Sequence, residues 1–451
     1  MTQTAVRLPP GPKLPAAAIA AVIMTNNRRI LRTLQRRYGD AFTIQLPALG
    51  PGVMVSSPEL VKQMFTAKPD VLVTGEGNPL GAVLGPGSLF ALDREEHLRE
   101  RRLLLPPFHG DRMKSYEGII EDEARREMAG WEDGTEFATL PSFMRITLNA
   151  ILRAVFGAEG PQLPRLAELL PAVVGLGSML AMVPWLRRDL GPLSPGGKFR
   201  RGRRAYDAII DEMIDEALGD PGLEERVDVL ALLLRAHYDD GSSMSRSSIA
   251  DELLTLLAAG HETTATSLAW AVDRLRRHPW ILRRLSDEAE GDENTLRLAT
   301  INELQRTRPV ITATGRRAAT EFELGDYVIP KGHHIVASAT MIHNDERFFD
   351  RPDEFQPDRF VGRKPDTYTW IPFGGGTRRC IGAAFAQMEM DVVLRTLLRE
   401  FDLKTTTARG ERWRSRGVAF APANGGLAVV ERKVQSDGPE RSELEAVPAA
   451  A

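Results

Sequence analysis

The chain has 451 residues, 43% of them hydrophobic and 26% charged, and a formal net charge of −3 at pH 7. This composition is ordinary for a soluble globular protein, and the length suffices to bury a core that encloses a cofactor. The near-neutral charge and the lack of a long basic run exclude nucleic acid as the expected partner. A single cysteine excludes an internal disulfide framework and is typical of a reducing compartment, so we expect a cytoplasmic protein. We also expect the protein to be a monomer.

An apolar stretch from Leu14 to Met24 follows a proline-rich start in residues 1–13. Its eleven residues are too few to cross a bilayer, and its flanks do not fit a signal peptide. We therefore predict an amphipathic helix that continues through Arg28 to Tyr38, and no transmembrane anchor. A peripheral segment that touches a membrane is the alternative interpretation.

Shorter elements come next in the chain. The patterns of residues 41–46 and 52–55 predict a β-hairpin, and residues 58–66 predict a short helix. Residues 74–92 contain five glycines and two prolines, a composition typical of a long functional loop. A charged helix over residues 95–105 should end at Pro106.

Residues 113–220 have a helical pattern, with breaks near 133–141, 157–164 and 191–198. A long helix should then begin at a capping box, Ser248 to Asp251, and run to Arg277. One turn in its middle has poor helix propensity, because Gly260 is followed by adjacent threonines at 263 and 264. A helix that breaks propensity at a single turn invites a functional explanation.

The small residues of that turn, Ala259 and Gly260, would let a ligand lie against the helix backbone. Thr263 lies four residues after Ala259, so its hydroxyl faces the same side of the helix. Threonine can also donate to the carbonyl four residues earlier and loosen such a turn. The alternative interpretation is a groove for close packing against another helix.

The only cysteine, Cys380, lies in a glycine-rich loop between the extended run 368–372 and a helix predicted for residues 383–401. The unpaired N–H groups and the dipole at a helix N-terminus stabilise a thiolate. Glycines at 374–376 permit tight turns and should leave room for a flat, bulky partner. A thiolate in such a loop can bind haem iron; the alternative is a buried cysteine that acts as a small hydrophobe.

This loop resembles the haem-binding loop of cytochromes P450, Phe-Gly-x-Gly-x-Arg-x-Cys-x-Gly. The turn from Ala259 to Thr264 is similar to the oxygen-binding motif of the same family, Ala-Gly-x-Asp/Glu-Thr-Thr. The resemblance covers roughly residues 8–432. It implies a mainly α fold with a minor antiparallel β portion, one haem-binding domain over residues 1–432 with an irregular start at 1–8, and a disordered tail at 433–451. The loop residues that fit the pattern are Phe373, Gly374, Gly376, Arg378, Cys380 and Gly382.

The resemblance also implies roles for individual residues. Cys380 would be the axial iron ligand, with Phe373 packed near the thiolate and Gly374 and Gly382 shaping the loop around the haem. Ala259 and Gly260 would border the haem, and Glu262 and Thr263 would deliver protons to bound oxygen. Residues that would contact the haem propionates are Arg101, Arg316 or its neighbour Arg317, Arg378 and His97. His97 replaces a tryptophan that is common at this position in the family. The alternative interpretation of His97 is an ordinary surface histidine.

A further motif, Glu303-x-x-Arg306, places opposite charges on one helix face. In the family this pair meets a later arginine, which here is Arg359, in a structural cluster that holds the cysteine loop. The alternative is that Thr300 and Glu303 form a helix capping box. Strands are predicted at 318–322, 327–329 and 334–339, followed by a final hairpin over 418–430.

The implied function is that of a haem-thiolate monooxygenase. Haem b and dioxygen would be used to insert one oxygen atom into a small apolar substrate of the fatty acid, terpenoid, steroid or polyketide type. An apolar, methionine-containing stretch at 169–186 is either buried core or the roof of the substrate channel. Electrons from NAD(P)H would arrive indirectly, through a ferredoxin with its reductase or through a flavodoxin. Arginines that could steer such an acidic partner are Arg99, Arg102 and Arg379.

Two alternatives use the same fold. One is a peroxygenase driven by hydrogen peroxide, against which the Glu262–Thr263 pair argues because peroxide-driven relatives lack it. The other is a non-catalytic haem-binding or ligand-binding protein.

Overall fold

The computed structural model describes residues 7–46, 49–108, 110, 112–157 and 160–433. The predicted tail at 433–451 therefore lies outside the described residues except for its first position. Helices make up most of the described chain, and the strands form one five-stranded sheet and four two-stranded ones. The prediction of a mainly α fold with a minor, largely antiparallel β portion is confirmed.

The first half of the chain is almost entirely helical between its small strands. Its helices are α1 Ala16–Met24, α2 Arg28–Tyr38, α3 Pro58–Thr66, α4 Gly81–Leu84, α5 Arg94–Leu104, α6 Arg112–Met128, α7 Thr139–Phe156, α8 Gln162–Met182 and α9 Pro195–Gly219. Its strands are β1 Ala41–Leu46, β2 Gly50–Val55, β3 Leu72–Val73 and β4 Phe137–Ala138.

The second half alternates helices with short strands. Its helices are α10 Val229–Arg235, α11 Arg246–Leu275, α12 Pro279–Ala289, α13 Thr295–Thr307, α14 Ala339–Ile342 and α15 Ala383–Glu400. Its strands are β5 Ala313–Ala318, β6 Phe322–Leu324, β7 Tyr327–Ile329, β8 His334–Ser338, β9 Phe401–Leu403, β10 Trp413–Arg416, β11 Ala419–Pro422, β12 Leu427–Ala428 and β13 Val430–Arg432. Short 3-10 helices span Pro106–Phe108, Pro184–Arg187, Pro357–Phe360 and Gly376–Arg378.

Helix α11 is the centre of the core. It contacts α7, α9, α13 and α15 and the strand β11, and most of its 30 residues are buried. The largest hydrophobic cluster includes side chains from these helices, so burial of apolar surface around α11 is the main stabilising term. The position of α11 between α7 and α15 brings its unusual middle turn towards the interior of the molecule.

The largest sheet has the order β1-β2-β8-β5-β3, with β2 and β8 parallel and all other neighbours antiparallel. The predicted β1–β2 hairpin and the helices α3, α5 and α15 are confirmed. The strand predicted at 318–322 is wrong, because β5 ends at Ala318 and residues 319–321 form the turn before β6. The final hairpin is also wrong: β10 pairs with β11, whereas β12 pairs with β4 and β13 with β9.

Three helix boundaries differ from the predictions. The first helix is interrupted, because Asn26 adopts a left-handed φ of 44° and the side chain of Asn27 caps α2 by accepting from the Ile30 N–H at 3.2 Å. Helix α11 starts earlier than predicted, with Ser245 as its cap, and ends at Leu275. Thr300 lies inside α13, so the capping-box alternative for Thr300 and Glu303 is wrong.

Helix α8 is the one helix within the described ranges that is long and apolar enough to cross a membrane. Its buried side chains form one face, which packs against α9, α4 and α7, and 39% of its most apolar window is buried. A buried helix of a globular core passes the same test of length and hydropathy.

Candidate functional site

The glycine-rich loop before α15 folds tightly against α3. Gly376 has a left-handed φ of 64°, and a Cβ there would lie 2.0 Å from the carbonyl oxygen of Phe65. A Cβ on Gly375 would lie 2.1 Å from the Phe65 ring. The space left by these two glycines is therefore filled by Phe65, and the prediction that they accommodate a flat partner is wrong. Gly374, at φ 63°, completes the turn.

Cys380 closes this loop three residues before α15 begins. Its N–H donates to the Phe373 carbonyl at 3.0 Å, and a Cβ added to Gly382 would meet nothing within 4 Å. The side chain of Cys380 is exposed, yet burial raises the pKa of its thiol, against the opposing effects of the Gly382 N–H and of Arg101 and Arg379. A thiol that is both accessible and enclosed lies at an internal surface of the protein.

The middle turn of α11 supplies a second accessible surface inside the core. Ala259 is exposed and Thr263 is partly exposed, whereas the helix on either side is buried. The hydroxyl of Thr263 donates to the Ala259 carbonyl at 2.8 Å, which is the predicted bond to the preceding turn. A Cβ on Gly260 would lie 3.4 Å from the Ile151 side chain of α7, which is an ordinary van der Waals distance, so packing against α7 does not by itself require a glycine there.

Glu262 forms an ion pair that the sequence did not suggest. Its Oε1 lies 3.1 Å from Nε of Arg416, which is on β10 at the end of the chain, and its side chain is 10% exposed. The adjoining Gly417 packs against Ser178 of α8. No local pattern around Arg416 distinguishes it from the neighbouring arginines, so only the fold could identify it.

The predicted propionate-binding residues form a basic cluster beside the cysteine loop. His97 is 3% exposed, so the surface-histidine alternative is wrong. Burial, followed by Arg378 and Arg101, lowers the pKa of His97 to about 3, which makes this imidazole neutral at physiological pH. Burial lowers the pKa of Arg316 to about 10, with a further contribution from Arg378.

The arginines of the cluster are differently engaged. Arg378 pairs with Asp93 at 2.6 Å, and Arg316 donates to the Gly375 carbonyl at 3.0 Å. Arg316 rather than its neighbour faces the cluster, because Arg317 pairs with Glu76 instead. Neither Arg101 nor Arg316 has a carboxylate partner within the described ranges.

The cluster therefore has more buried positive charge than the protein itself neutralises. Its one paired carboxylate, Asp93, also accepts from the N–H groups of Thr74, Gly75 and Glu76 at 2.7 to 2.9 Å. Unneutralised guanidinium groups in a desolvated site favour a ligand that brings its own carboxylates. Haem b carries two propionates, and its iron takes a thiolate ligand, so these residues fit the group.

Glu303 and Arg306 form a completely buried ion pair, which the largely buried Arg359 joins. Arg306 Nε and one terminal nitrogen each lie 2.7 Å from a Glu303 oxygen, and Arg359 Nε lies 3.1 Å from Glu303 Oε2. Arg306 also donates to the carbonyls of His343, Pro352 and Glu354 at 2.6, 2.9 and 3.1 Å. The structure thus brings together the three residues that the resemblance implied.

Two contacts join this cluster to the segment before the cysteine loop. The N–H of Ile371 donates to Nε2 of His343 at 2.9 Å, and Trp370 donates to the Asn302 carbonyl at 3.0 Å. Phe373, by contrast, packs its ring 6.0 Å from that of Trp370, edge to face. The buried charges therefore support the start of the loop that carries Cys380.

Sequence reasoning missed Glu389 on α15. This side chain is 1% exposed, and neither carboxyl oxygen has a hydrogen bond of good geometry in the described part of the chain. Burial raises the pKa of Glu389 to about 8, and the nearby Thr264 hydroxyl opposes that rise. Its apolar neighbours predict only a helix face, so its isolation could not be read from the pattern.

A cysteine loop, a threonine-bearing helix turn and a basic cluster on a mainly helical scaffold define a haem-thiolate protein. The family model for cytochrome P450 matches residues 9–427. The chain belongs to the cytochrome P450 family.

Mycobacterial proteins are among its relatives. A Mycobacterium tuberculosis protein named as cytochrome P450 138 is 53% identical over 429 residues, which cover 95% of this chain and 97% of the relative. One named as cytochrome P450 135B1 is 38% identical over 433 residues, or 93% and 90% of the two chains.

Solved structures share the fold. The retinoic acid-bound cyanobacterial CYP120A1 gives a TM-score of 0.82 at 22% identity, over 95% of this chain and all of that one. The haem domain of cytochrome P450DA gives a TM-score of 0.80 at 22% identity, and the match covers 95% of this chain and 98% of that one.

Membership of this family establishes the reaction class. The chain is a monooxygenase that uses haem b and dioxygen and receives electrons through a redox partner. Thiolate-bound haem activates dioxygen so that one oxygen atom enters the substrate and the other leaves as water.

Proposed function

We propose that the chain hydroxylates a small apolar substrate of the fatty acid, terpenoid, steroid or polyketide type in the cytoplasm, with Cys380 as the iron ligand. The observation that carries this proposal is the position of Cys380. It is the only cysteine of the sequence, and it lies at an internal surface beside a buried cluster with surplus positive charge. That combination matches a ligand with one metal and two carboxylates.

In this proposal Thr263 and Glu262 deliver protons. Each is held by a bond that can be exchanged: Thr263 by the Ala259 carbonyl in its own helix, and Glu262 by the partly exposed Arg416. Turned away from that carbonyl, the Thr263 hydroxyl would be free to donate a proton on the haem side of α11. Glu262 would then resupply that proton through ordered water.

The basic cluster would orient the haem through its propionates. Arg101 and Arg316 offer guanidinium groups without carboxylate partners in the described chain, and Arg378 would share its charge between Asp93 and a propionate. Neutral His97 would contribute an imidazole N–H rather than a charge. Ala259, Gly374 and Gly382 would keep the haem faces free of side chains.

The electron donor in this proposal is a ferredoxin with its reductase, or a flavodoxin, that docks near the thiolate. Arg379 adjoins Cys380, is exposed and has no carboxylate partner among the described residues. Arg99 and Arg102 are weaker candidates for steering, because Arg99 pairs with Asp240 at 2.7 Å and Arg102 with Asp239 at 3.1 Å. Their charges are largely balanced within the chain.

Replacement of the thiolate tests this proposal. The reduced carbon monoxide complex of the wild-type protein should have the red-shifted Soret band of a thiolate ligand. In Cys380→His this band and the oxygenase activity should both disappear, because no other thiol exists in the chain. A Cys380→His protein that kept both would refute the assignment. Product formation with NADH and a surrogate redox pair, compared with hydrogen peroxide alone, separates the monooxygenase from the peroxygenase and from a non-catalytic protein.

A further inference from the structure

Two arginine side chains from distant parts of the chain lie side by side. Arg28 is the first residue of α2, and Arg308 directly follows the last residue of α13. Both guanidinium groups donate to one oxygen atom, the Thr307 carbonyl: Arg28 through a terminal nitrogen, and Arg308 through a terminal nitrogen at 2.9 Å. Because they share this acceptor, a single ligand could contact both groups. We call these two side chains the Arg28–Arg308 pair.

Two tryptophan rings border the Arg28–Arg308 pair. The Cζ atoms of Arg28 and Arg308 lie 5.3 Å and 5.5 Å from the centre of the Trp413 ring on β10. The Cζ atom of Arg308 also lies 5.2 Å from the centre of the Trp270 ring on α11. The face of an indole ring stabilises a cation but has no net charge. The rings therefore hold the guanidinium groups in place without neutralising them.

No carboxylate of the described residues forms an ion pair with either arginine of the pair. Two acidic side chains, Asp353 and Asp273, favour the charged forms of these arginines, but both are engaged elsewhere. Asp353 pairs with Arg32 at 2.8 Å. Asp273 is shared by Arg274 at 2.7 Å and Arg277 at 2.9 Å. The surroundings of the pair therefore contain more positive than negative charge.

The pair also has buried donors without an acceptor. Nε of Arg28 and Nε of Arg308 are inaccessible to solvent, and neither has a hydrogen-bond partner within the described ranges. Burial lowers the pKa of Arg28 to about 10, and burial followed by Arg274 and Arg28 lowers the pKa of Arg308. An arginine keeps its charge in a protein all the same. Unsatisfied buried donors call for an acceptor, and unneutralised charge calls for an anion.

One chemical class of ligand meets both requirements. Water can accept from Nε but brings no charge, whereas a carboxylate or a phosphate group does both and matches the planar fork of a guanidinium group. Part of each arginine is accessible, so such a group can reach them. We propose that the Arg28–Arg308 pair binds an oxyanion, supplied by a phosphate group or a carboxylate, beside Trp413. None of these residues takes part in the reaction proposed above, and the inference does not rest on it.

Isothermal titration calorimetry of the haem-loaded, full-length protein tests the proposal. Sodium phosphate, sodium acetate and sodium chloride are titrated separately at one pH and one ionic strength, so that screening is equal in all three. We expect saturable binding of an oxyanion at a single site, no saturable binding of chloride, and a melting temperature that rises with the concentration of the bound oxyanion. Tighter binding of phosphate assigns the site to a phosphate group, and tighter binding of acetate assigns it to a carboxylate.

Variants of the pair locate the binding. Arg28→Gln and Arg308→Gln each remove one positive charge and should weaken the affinity for the oxyanion at least tenfold. Arg308→Lys keeps the charge but loses the planar fork, so it should bind severalfold more weakly, and it replaces a glutamine variant that does not fold. The matched control is Arg246→Gln at the start of α11, whose exposed side chain pairs with Asp215 at 2.6 Å. This control should bind like the wild type.

A purely structural role of the pair predicts a different result. If the arginines only pack on the tryptophan rings, the glutamine variants should melt below the wild type by the same margin with and without the oxyanion. In our proposal that margin widens as the oxyanion is added, because only the wild type gains stability from it. The proposal would be overturned by a constant margin, by a wild type that binds neither oxyanion or binds chloride equally well, or by equal losses of affinity in Arg246→Gln and the pair variants.

Discussion

Two polar regions lie inside this molecule, and they are organised differently. Around Glu303 every N–H of Arg306 is used, by two carboxylate oxygens and three backbone carbonyls, and both residues are 0% exposed. In the middle turn of α11, the Thr263 hydroxyl bonds only to its own helix, and Glu262 forms an ion pair with Arg416, whose side chain is 44% exposed. The first region is closed, whereas the second keeps groups that can change partners.

The difference follows from what each region must do. A buried charge network whose bonds are all made is stable only as a whole, because loss of one member leaves the others charged and desolvated. A hydroxyl bonded to the preceding turn loses little when it turns towards a ligand, since the carbonyl retains its helical bond. The closed region contacts the segment before the cysteine loop, and in the function proposed above the open region would supply protons.

Removal of one member of the Glu303 cluster should strongly destabilise the folded protein. Arg306→Ala leaves Glu303 charged in the core, which typically costs about 3–5 kcal/mol of unfolding free energy. We expect little haem-loaded protein, measured by the yield of the carbon monoxide complex and by thermal unfolding. The matched control is Arg284→Ala, because its ion pair with Asp358 at 2.9 Å is exposed and worth about 0–1 kcal/mol. Similar stabilities for the two variants would show that the cluster is not structural.

Glu389, which lies near Thr264 of α11, should make stability depend on pH. Its pKa is about 8 in the folded protein against an ordinary value of 4.5, so the folded state holds the proton more tightly. The stabilisation is complete below pH 4.5 and is lost as the pH rises towards 8, by up to about 1.4 kcal/mol per pH unit. Denaturant unfolding between pH 5 and pH 8 measures this slope.

In Glu389→Gln the side chain is neutral at every pH, so that part of the slope should vanish while stability at pH 5 changes little. Glu117→Gln, at an exposed position of α6, is the control and should retain the wild-type slope. A slope that persists in Glu389→Gln would assign the pH dependence to other groups.

Mutation of the middle turn of α11 should leave the fold intact but reduce the yield of product per NADH consumed. Thr263→Ala should bind haem and substrate and consume NADH with a supplied redox pair, yet give at least tenfold less product per NADH and release hydrogen peroxide. The matched control is Thr396→Ala on α15, whose hydroxyl makes the same kind of bond to the Val392 carbonyl at 2.9 Å. Full coupling in Thr263→Ala, with a lowered melting temperature, would make Thr263 a packing residue only.

The smallest effect should come from Arg416. Removal of a partly exposed ion pair changes energies by about 0.2–1 kcal/mol, so Arg416→Gln should slow turnover by at most about fivefold with coupling retained. Arg416→Lys should recover part of this loss. If Arg416 acts through Glu262, the double variant with Glu262→Gln should be no slower than Glu262→Gln alone. Additive losses in the double variant would assign Arg416 a separate role.

Much of the site was predictable because its motifs are local. The spacing around Cys380, the turn from Ala259 to Thr263 and the Glu303–Arg306 pair each lie within ten residues, where loop geometry and helix periodicity fix which groups share a face. For the same reason α3, α5 and α15 were predicted nearly to their ends. Predictions were wrong where a local pattern was compatible with several partners, as for the final hairpin, whose strands pair with β4, β9 and β10.

The sequence by itself therefore determined the family and predicted the thiolate ligand and the acid–alcohol pair, since these depend on residue type and short spacing. Only the tertiary structure decided that His97 is buried and neutral, that Phe65 fills the space beside Gly375 and Gly376, and that Arg416 reaches Glu262 from 154 residues away. The physical reason is that burial and ion pairing depend on which distant segments the fold brings together. Periodicity within one segment contains no information about that choice.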